Sequence, residues 1–167
     1  GRLDIIGTAP RGMVWIEQPE RKGDAWNANY IGSFAPDSHT GYALADIDDD
    51  GDIDLIAGSY SRGDRTGDDG AVGVDGALGR IGWFENPGVG YVYGEWRRHD
   101  ISRRKRGMFD KFMARDLDGD GDMDFIGTRG NSYPYDGVFW LEQIRSADSR
   151  AAFERAREQE SNEIQLP

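Results

Sequence analysis

The chain has 167 residues, 31 Asp or Glu against 20 Lys or Arg, a net charge of −11, no cysteine and no apolar run long enough to span a membrane. This excludes a disulfide framework, a thiolate metal site and a transmembrane helix, and the lack of a net basic footprint disfavours nucleic acid as a partner. The 24 Gly, five Trp and seven Tyr favour short strands and tight turns over long helices.

In chain order, the first run, GRLDIIGT (1–8), reads as a strand entered from the tail of an Asp-rich loop, and the second carries WIEQP (15–19). From Trp26 to Gly58 the sequence then aligns without gaps on Trp96 to Thr128, an offset of 70 residues. The best-matched part is ADIDDDGDIDLIAG (45–58) against RDLDGDGDMDFIGT (115–128), and GRLDIIGT repeats the end of it. The second motif recurs in step as WFENP (83–87) and WLEQ (140–143). Four strand-like runs fill one repeat: Ile53–Ser59, Arg80–Glu85, Trp96–Ile101 and Lys111–Arg115. Between the first two lies an insertion, Ser61–Gly79, rich in Gly and Asp, which reads as a surface loop.

Four antiparallel strands per repeat of this length describe a blade of a β-propeller. The expected architecture is all-β. It holds about two and a half repeats over 1–145: a partial blade (1–45), a full blade (46–115) and a partial blade (116–145). A helical tail follows at 146–167, where helix formers and Arg–Glu pairs predominate. A propeller closes with four to eight blades, and the chain starts within an Asp loop. The expectation is therefore a piece of a longer polypeptide whose remaining blades, or other subunits, complete the ring.

The charge is concentrated. Residues 46–54 hold six Asp and residues 116–124 hold five, without Lys or Arg; removing those eleven leaves 20 acidic against 20 basic residues. Clustered carboxylates repel one another and call for a cation. The pattern is D-x-D-x-D-G-x-x-D. Asp46, Asp48 and Asp50, like Asp116, Asp118 and Asp120, aim carboxylates into one concavity. Gly at the sixth position permits the sharp turn. Asp52 and Asp122 would offer a backbone carbonyl, and Asp54 and Asp124 a last carboxylate from the next strand; Asp4 is the matching position of the incomplete first loop. Such an all-oxygen set suits Ca2+ better than Mg2+. An EF-hand is rejected, because its position 12 is here Ala57 or Gly127 inside an apolar run.

By ADIDDDGDIDLIAG, ARDLDGDGDMDFIGT, WFENPG and WRRHDI, the chain resembles the FG-GAP/VCBS repeat family of β-propellers over roughly residues 1–143. The resemblance implies calcium in the strand-connecting loops, an extracellular or cell-surface setting, and a role in adhesion, scaffolding or contact with a glycan or protein ligand. The alternative it allows is the propeller portion of a carbohydrate-active enzyme such as a polysaccharide lyase or sugar dehydratase.

Trp15, Trp83 and Trp140 recur at one blade position and are expected to pack blade against blade, with sugar stacking as the alternative; Trp26 and Trp96 fall under the same reading. Glu17, Glu85 and Glu142 repeat beside them and read as structural. His39 and His99 do not align with each other and also read as structural. Arg62-Gly63-Asp64 spells an adhesive tripeptide that chance readily produces. The cluster Arg97, Arg98, Arg103, Arg104, Lys105 and Arg106 is either salt-bridged or a contact for an anionic polysaccharide. No nucleophile elbow, phosphate loop or thiol site occurs, so no catalytic residue is assigned.

Overall fold

The computed structural model describes residues 2–60, 79–104, 107–130 and 136–145. The expected helical tail, Arg62-Gly63-Asp64 and the rest of the insertion from 61 to 78, and Lys105 and Arg106 lie outside the described residues. Among the described residues the fold is all-β, with ten strands and no helix. No helix there is long and apolar enough to cross a membrane.

The ten strands form two antiparallel sheets, one of three strands and a curled one of seven, and along the chain they run as three successive meanders, the second and third sharing the larger sheet. The first contains β1 (Ile5–Ala9), β2 (Gly12–Glu17) and β3 (Asn27–Gly32), paired in that order. The second contains β4 (Ser38–Ala45), β5 (Asp54–Tyr60), β6 (Gly79–Glu85) and β7 (Arg97–Arg104), each paired with the next. The third contains β8 (Met108–Arg115), β9 (Asp124–Gly130) and β10 (Gly137–Leu141). The repeat is thus spatial as well as sequential: β4 and β8 begin and end at matching positions, as do β5 and β9.

The strands expected at Ile53–Ser59, Arg80–Glu85, Trp96–Ile101 and Lys111–Arg115 coincide with β5 to β8 within three residues at each end. Their grouping differs. The sequence grouping sets Lys111–Arg115 as the fourth strand of the 46–115 unit, whereas β8 meets β5 only at Tyr60–Met108 and pairs along its length with β9. The reason is local. Each Asp loop is a hairpin connection, closed by the pairs Ala45–Asp54 and Arg115–Asp124. The strand before the loop therefore pairs at once with the strand after it, and the structural unit begins one strand earlier than the sequence unit.

β5, inside the middle meander, is buried on both faces, which explains why it reads DLIAGSY with six of its seven residues buried. Side chains alternate across a strand. Leu55 and Ala57 pack with Met13, Ile31, Phe84 and Trp96 against the first meander. Ile56 and Ile81 pack with Phe109, Phe112, Phe125 and Leu141 against the third. The repeated Trp residues obey the same rule. Trp15 packs into the first junction and Trp83 into the second, while Trp140 occupies the matching place on the third meander and is 50% exposed. Trp96 is buried against the first meander, and its equivalent Trp26 is 44% exposed. Trp15, Trp83 and Trp96 thus pack between neighbouring meanders, whereas Trp26 and Trp140 are largely exposed.

The second and third meanders meet along their first strands. A Cβ at Gly41 of β4 would overlap the backbone of Asp110 in β8, and the Thr40 hydroxyl donates to the Phe109 carbonyl beside it. Gly41→Ala is expected to destabilise the fold by about 1–3 kcal/mol through overpacking against backbone. Gly7→Ala, with open space around its Cβ, is expected to be neutral or slightly stabilising. Urea unfolding of the two variants measures the contrast.

Candidate metal centre

Each Asp loop is shaped by its own side chains. In the first, Asp46 accepts the Asp50 amide at 3.1 Å through Oδ1 and the Gly51 amide at 3.0 Å through Oδ2, while Asp50 accepts the Asp52 amide at 2.9 Å. In the second, Asp116 accepts the Gly119 amide at 2.7 Å, Asp118 the Asp120 amide at 3.2 Å and Asp120 the Asp122 amide at 3.1 Å. These Asx-type turns wind the backbone so that alternate carboxylates converge. Two left-handed residues complete the winding. The sixth motif position is Gly51 (φ 92°) or Gly121 (φ 101°), and the fourth is Asp49 (φ 66°) or Gly119 (φ 84°). The fourth position escapes a sequence reading because Asp and Gly are the residues that tolerate this region, and the two loops use one each.

The outcome is two acidic triads, Asp46–Asp48–Asp50 and Asp116–Asp118–Asp120, each offering carboxylate oxygens within 4.8 Å of one another. Of each triad the first member is half-buried and the other two are exposed. Hard, close-set oxygens of this kind suit a hard divalent cation. Asp122 lies beside the second triad, is 7% exposed, and its Oδ1 has no hydrogen-bond partner among the described residues. Burial and the nearby Asp120 carboxylate raise its pKa above the ordinary value, as burial and Asp50 do for Asp48. Arg145 is the cation next to this group. It lies 3.7 Å from Asp122 and 3.6 Å from Asp49, so it spans from one loop to the other.

The ninth-position carboxylates do something the sequence does not display. Asp54, 1% exposed, accepts the Ile47 amide at 2.9 Å with Oδ2 and the Asn86 amide at 2.8 Å with Oδ1. Asp124 accepts the amides of Leu117 and Gln143, both at 3.0 Å. Asp4 accepts the Gln18 amide at 2.9 Å and the Trp15 indole N–H at 2.8 Å. Gln18, Asn86 and Gln143 are the same position of the repeated W-x-E motif. The two sequence motifs therefore recur in step because the backbone of one docks on the carboxylate of the other. Burial raises the Asp54 pKa to about 6, opposed by its two amide bonds.

The remaining candidates read as structural. His99 stacks on Trp83 with centroids 4.3 Å apart and lies 2.7 Å from Glu85. Glu17 lies 3.6 Å from Arg2, and Glu142 is exposed. Of the basic cluster, Arg97 is 4.0 Å from Glu85, and Arg98 is 3.0 Å from Asp100 and donates to the Ser33 carbonyl at 2.7 Å. These two arginines are neutralised rather than bare.

Two outcomes are expected. Asp54→Asn keeps the shape but turns one acceptor into a donor facing an amide N–H, so it should cost about 1–3 kcal/mol in urea unfolding with chelator present, with faster amide exchange at Ile47 or Asn86. The raised carboxyls also set a pH trend. Between the ordinary Asp value near 4 and the Asp54 value of about 6, the unfolded chain releases protons that the fold retains, so metal-free stability falls as pH rises through that window. In chelator, the melting temperature should therefore rise on acidification from about pH 7 to about pH 5. Compared with models of protein families, with curated proteins and with solved structures, the chain matches none.

Proposed function

We propose that the chain is a calcium-loaded part of a β-propeller of the FG-GAP/VCBS kind, working as a binding or scaffolding module. Its ions would staple the hairpins that begin each blade. The observation that carries this reading is the acidic triad built twice, on equivalent hairpins, with carboxylate oxygens within 4.8 Å of one another. Calcium takes six to eight oxygens at about 2.3–2.6 Å. Three carboxylates supply part of that number, and the carbonyls of Asp52 and Asp122, a second oxygen of Asp54 or Asp124, and water are the candidates for the rest. The propeller reading is supported by a curled seven-stranded sheet made of two meanders beside a three-stranded one, with apolar clusters on both faces of β5. The binding role is supported by a division of labour: the repeated residues serve the repeat, which leaves the non-repeating surfaces for a glycan or protein ligand. An extracellular or cell-surface setting, where calcium is plentiful, is the one that fits this reading.

Calorimetric titration with Ca2+ should give two sites. Asp48→Asn and Asp118→Asn should each remove one. Chelation should lower the melting temperature by several degrees at neutral pH, since loss of a ligand bound only by the folded state removes its stabilisation. Absence of Ca2+ binding, or a melting curve that chelator leaves in place, overturns the proposal.

A further inference from the structure

The two junctions between meanders are built from the same two kinds of side-chain row, and the strand register shows which. Residues paired across strands share a face of the sheet. In the middle meander, one face carries the row Ala43–Ile56–Trp83, which packs in the cluster against the third meander. The opposite face carries Leu55–Phe84, which packs in the cluster against the first. The neighbours supply the complementary rows. Ile6–Trp15 of the first meander fills the first junction, and Phe125–Leu141 of the third fills the second. At each junction, therefore, a row ending in the repeated Trp packs on a row of Leu and Phe from the next meander.

Carried to the outer faces, the same register leaves one row of each kind uncovered among the described residues. On the third meander the Trp row is Met113–Ile126–Trp140, the counterpart of Ala43–Ile56–Trp83. Met113 is 54% exposed, and Val138, two residues before Trp140 on the same face, is 74% exposed. On the first meander the facing row is Ile5–Ile16, the counterpart of Leu55–Phe84. Ile5 is 51% exposed. Trp26, half-exposed, holds the repeat position of Trp96, which packs with Leu55 and Phe84. Neither row contains a charged residue, on a chain in which 31% of residues are charged. Contiguous apolar faces of this kind mark contact surfaces.

The two uncovered rows are of opposite kind, and the contact that joins these kinds is already made twice inside the chain. Neither junction packs a Trp row on a Trp row. We propose that two copies of this chain associate head to tail, the Met113–Ile126–Trp140 row of each packed on the Ile5–Ile16 row of the other. Such a contact is heterologous, so it forms a ring where the rotation closes. Each copy brings three meanders, and two copies bring six, within the four to eight at which a propeller closes. The closure rests on the propeller reading, and the pairing of the rows rests on the strand register alone. Calcium enters neither.

The test is sedimentation equilibrium of the whole chain in calcium buffer. At about 50 μM it should give twice the monomer mass, falling to the monomer on dilution. Trp140→Lys and Ile5→Lys each place a charge on one of the two rows, at a side chain that is half-exposed within the chain. Each should weaken association by at least about thirtyfold, the size of a lost central anchor. Mixed in equal amounts, the two variants should recover a dimer that neither forms alone, because one copy then offers an intact Trp row and the other an intact Ile5–Ile16 row. The unmutated chain gives a reading that does not depend on how the variants fold: on dilution, the amide NMR signals of β1, β2, β9 and β10 should move while those of β5 and β6 stay. A dimer broken by Trp140→Lys and untouched by Ile5→Lys is a two-fold pairing of Trp rows and overturns the proposal. So does a mixture that stays monomeric, or growth into filaments without a defined end. A monomer at about 50 μM also overturns it and leaves the two faces to other segments of a longer polypeptide. A failure of calcium binding in the calorimetry leaves the measured mass readable, so the two readings fail separately.

Discussion

The fold depends on one carboxylate per repeat that joins three pieces of backbone. Asp54 lies at the start of β5, and its two oxygens take the amide of Ile47, at the front of the Asp loop, and of Asn86, just past the end of β6. Asp124 does the same for the third meander. Each is almost wholly inaccessible, and a buried charge is tolerated only when it is hydrogen-bonded. The bonds therefore satisfy the carboxylate and fix the register of hairpin and meander at once. Asp4 keeps the link to its own W-x-E motif and takes an indole N–H in place of the loop amide. The ninth Asp thus has a structural duty that does not require a metal, alongside whatever oxygen it contributes to one.

Much of the fold was legible because the repeat exposes it. A pattern that recurs at an offset of 70 residues fixes strand number and strand type, since DLIAGSY and DFIGTRG can only be the same element twice. The face of each repeated Trp also followed from recurrence: a side chain kept at one position of every repeat packs on the neighbouring repeat. The phase of the unit was not legible. Nothing in Lys111–Arg115 distinguishes the last strand of one meander from the first of the next, and only the pairing of Arg115 with Asp124 across the Asp loop decides it. Trp26 and Trp96 carry the same lesson, being one residue type at one repeat position with opposite exposure, because only Trp96 has a described meander against it.

The acidic triads were legible from spacing alone, since alternate Asp residues followed by Gly can bring their carboxylates together only in a turn. The second duty of Asp54 and Asp124 was hidden, because its partners are backbone amides and any residue could supply them. Asn86, Gln143 and Gln18 differ in side chain while their N–H groups do identical work. The span of Arg145 between Asp49 and Asp122 was equally hidden, since no equivalent arginine follows the other W-x-E motifs.

The hairpin character of the Asp loops has an evolutionary consequence. Every repeated residue that shapes them sits at one end of the strands, where a change must be matched inside its own repeat. At the far end lie the β1–β2 turn and the β3–β4 connection, whose residues are not repeated: SFAPD (33–37) stands where the next repeat has RRKRG (103–107). Selection can rewrite that rim one segment at a time, so the molecule divides into a conservative edge that keeps the architecture and a permissive edge on which new specificity can accumulate.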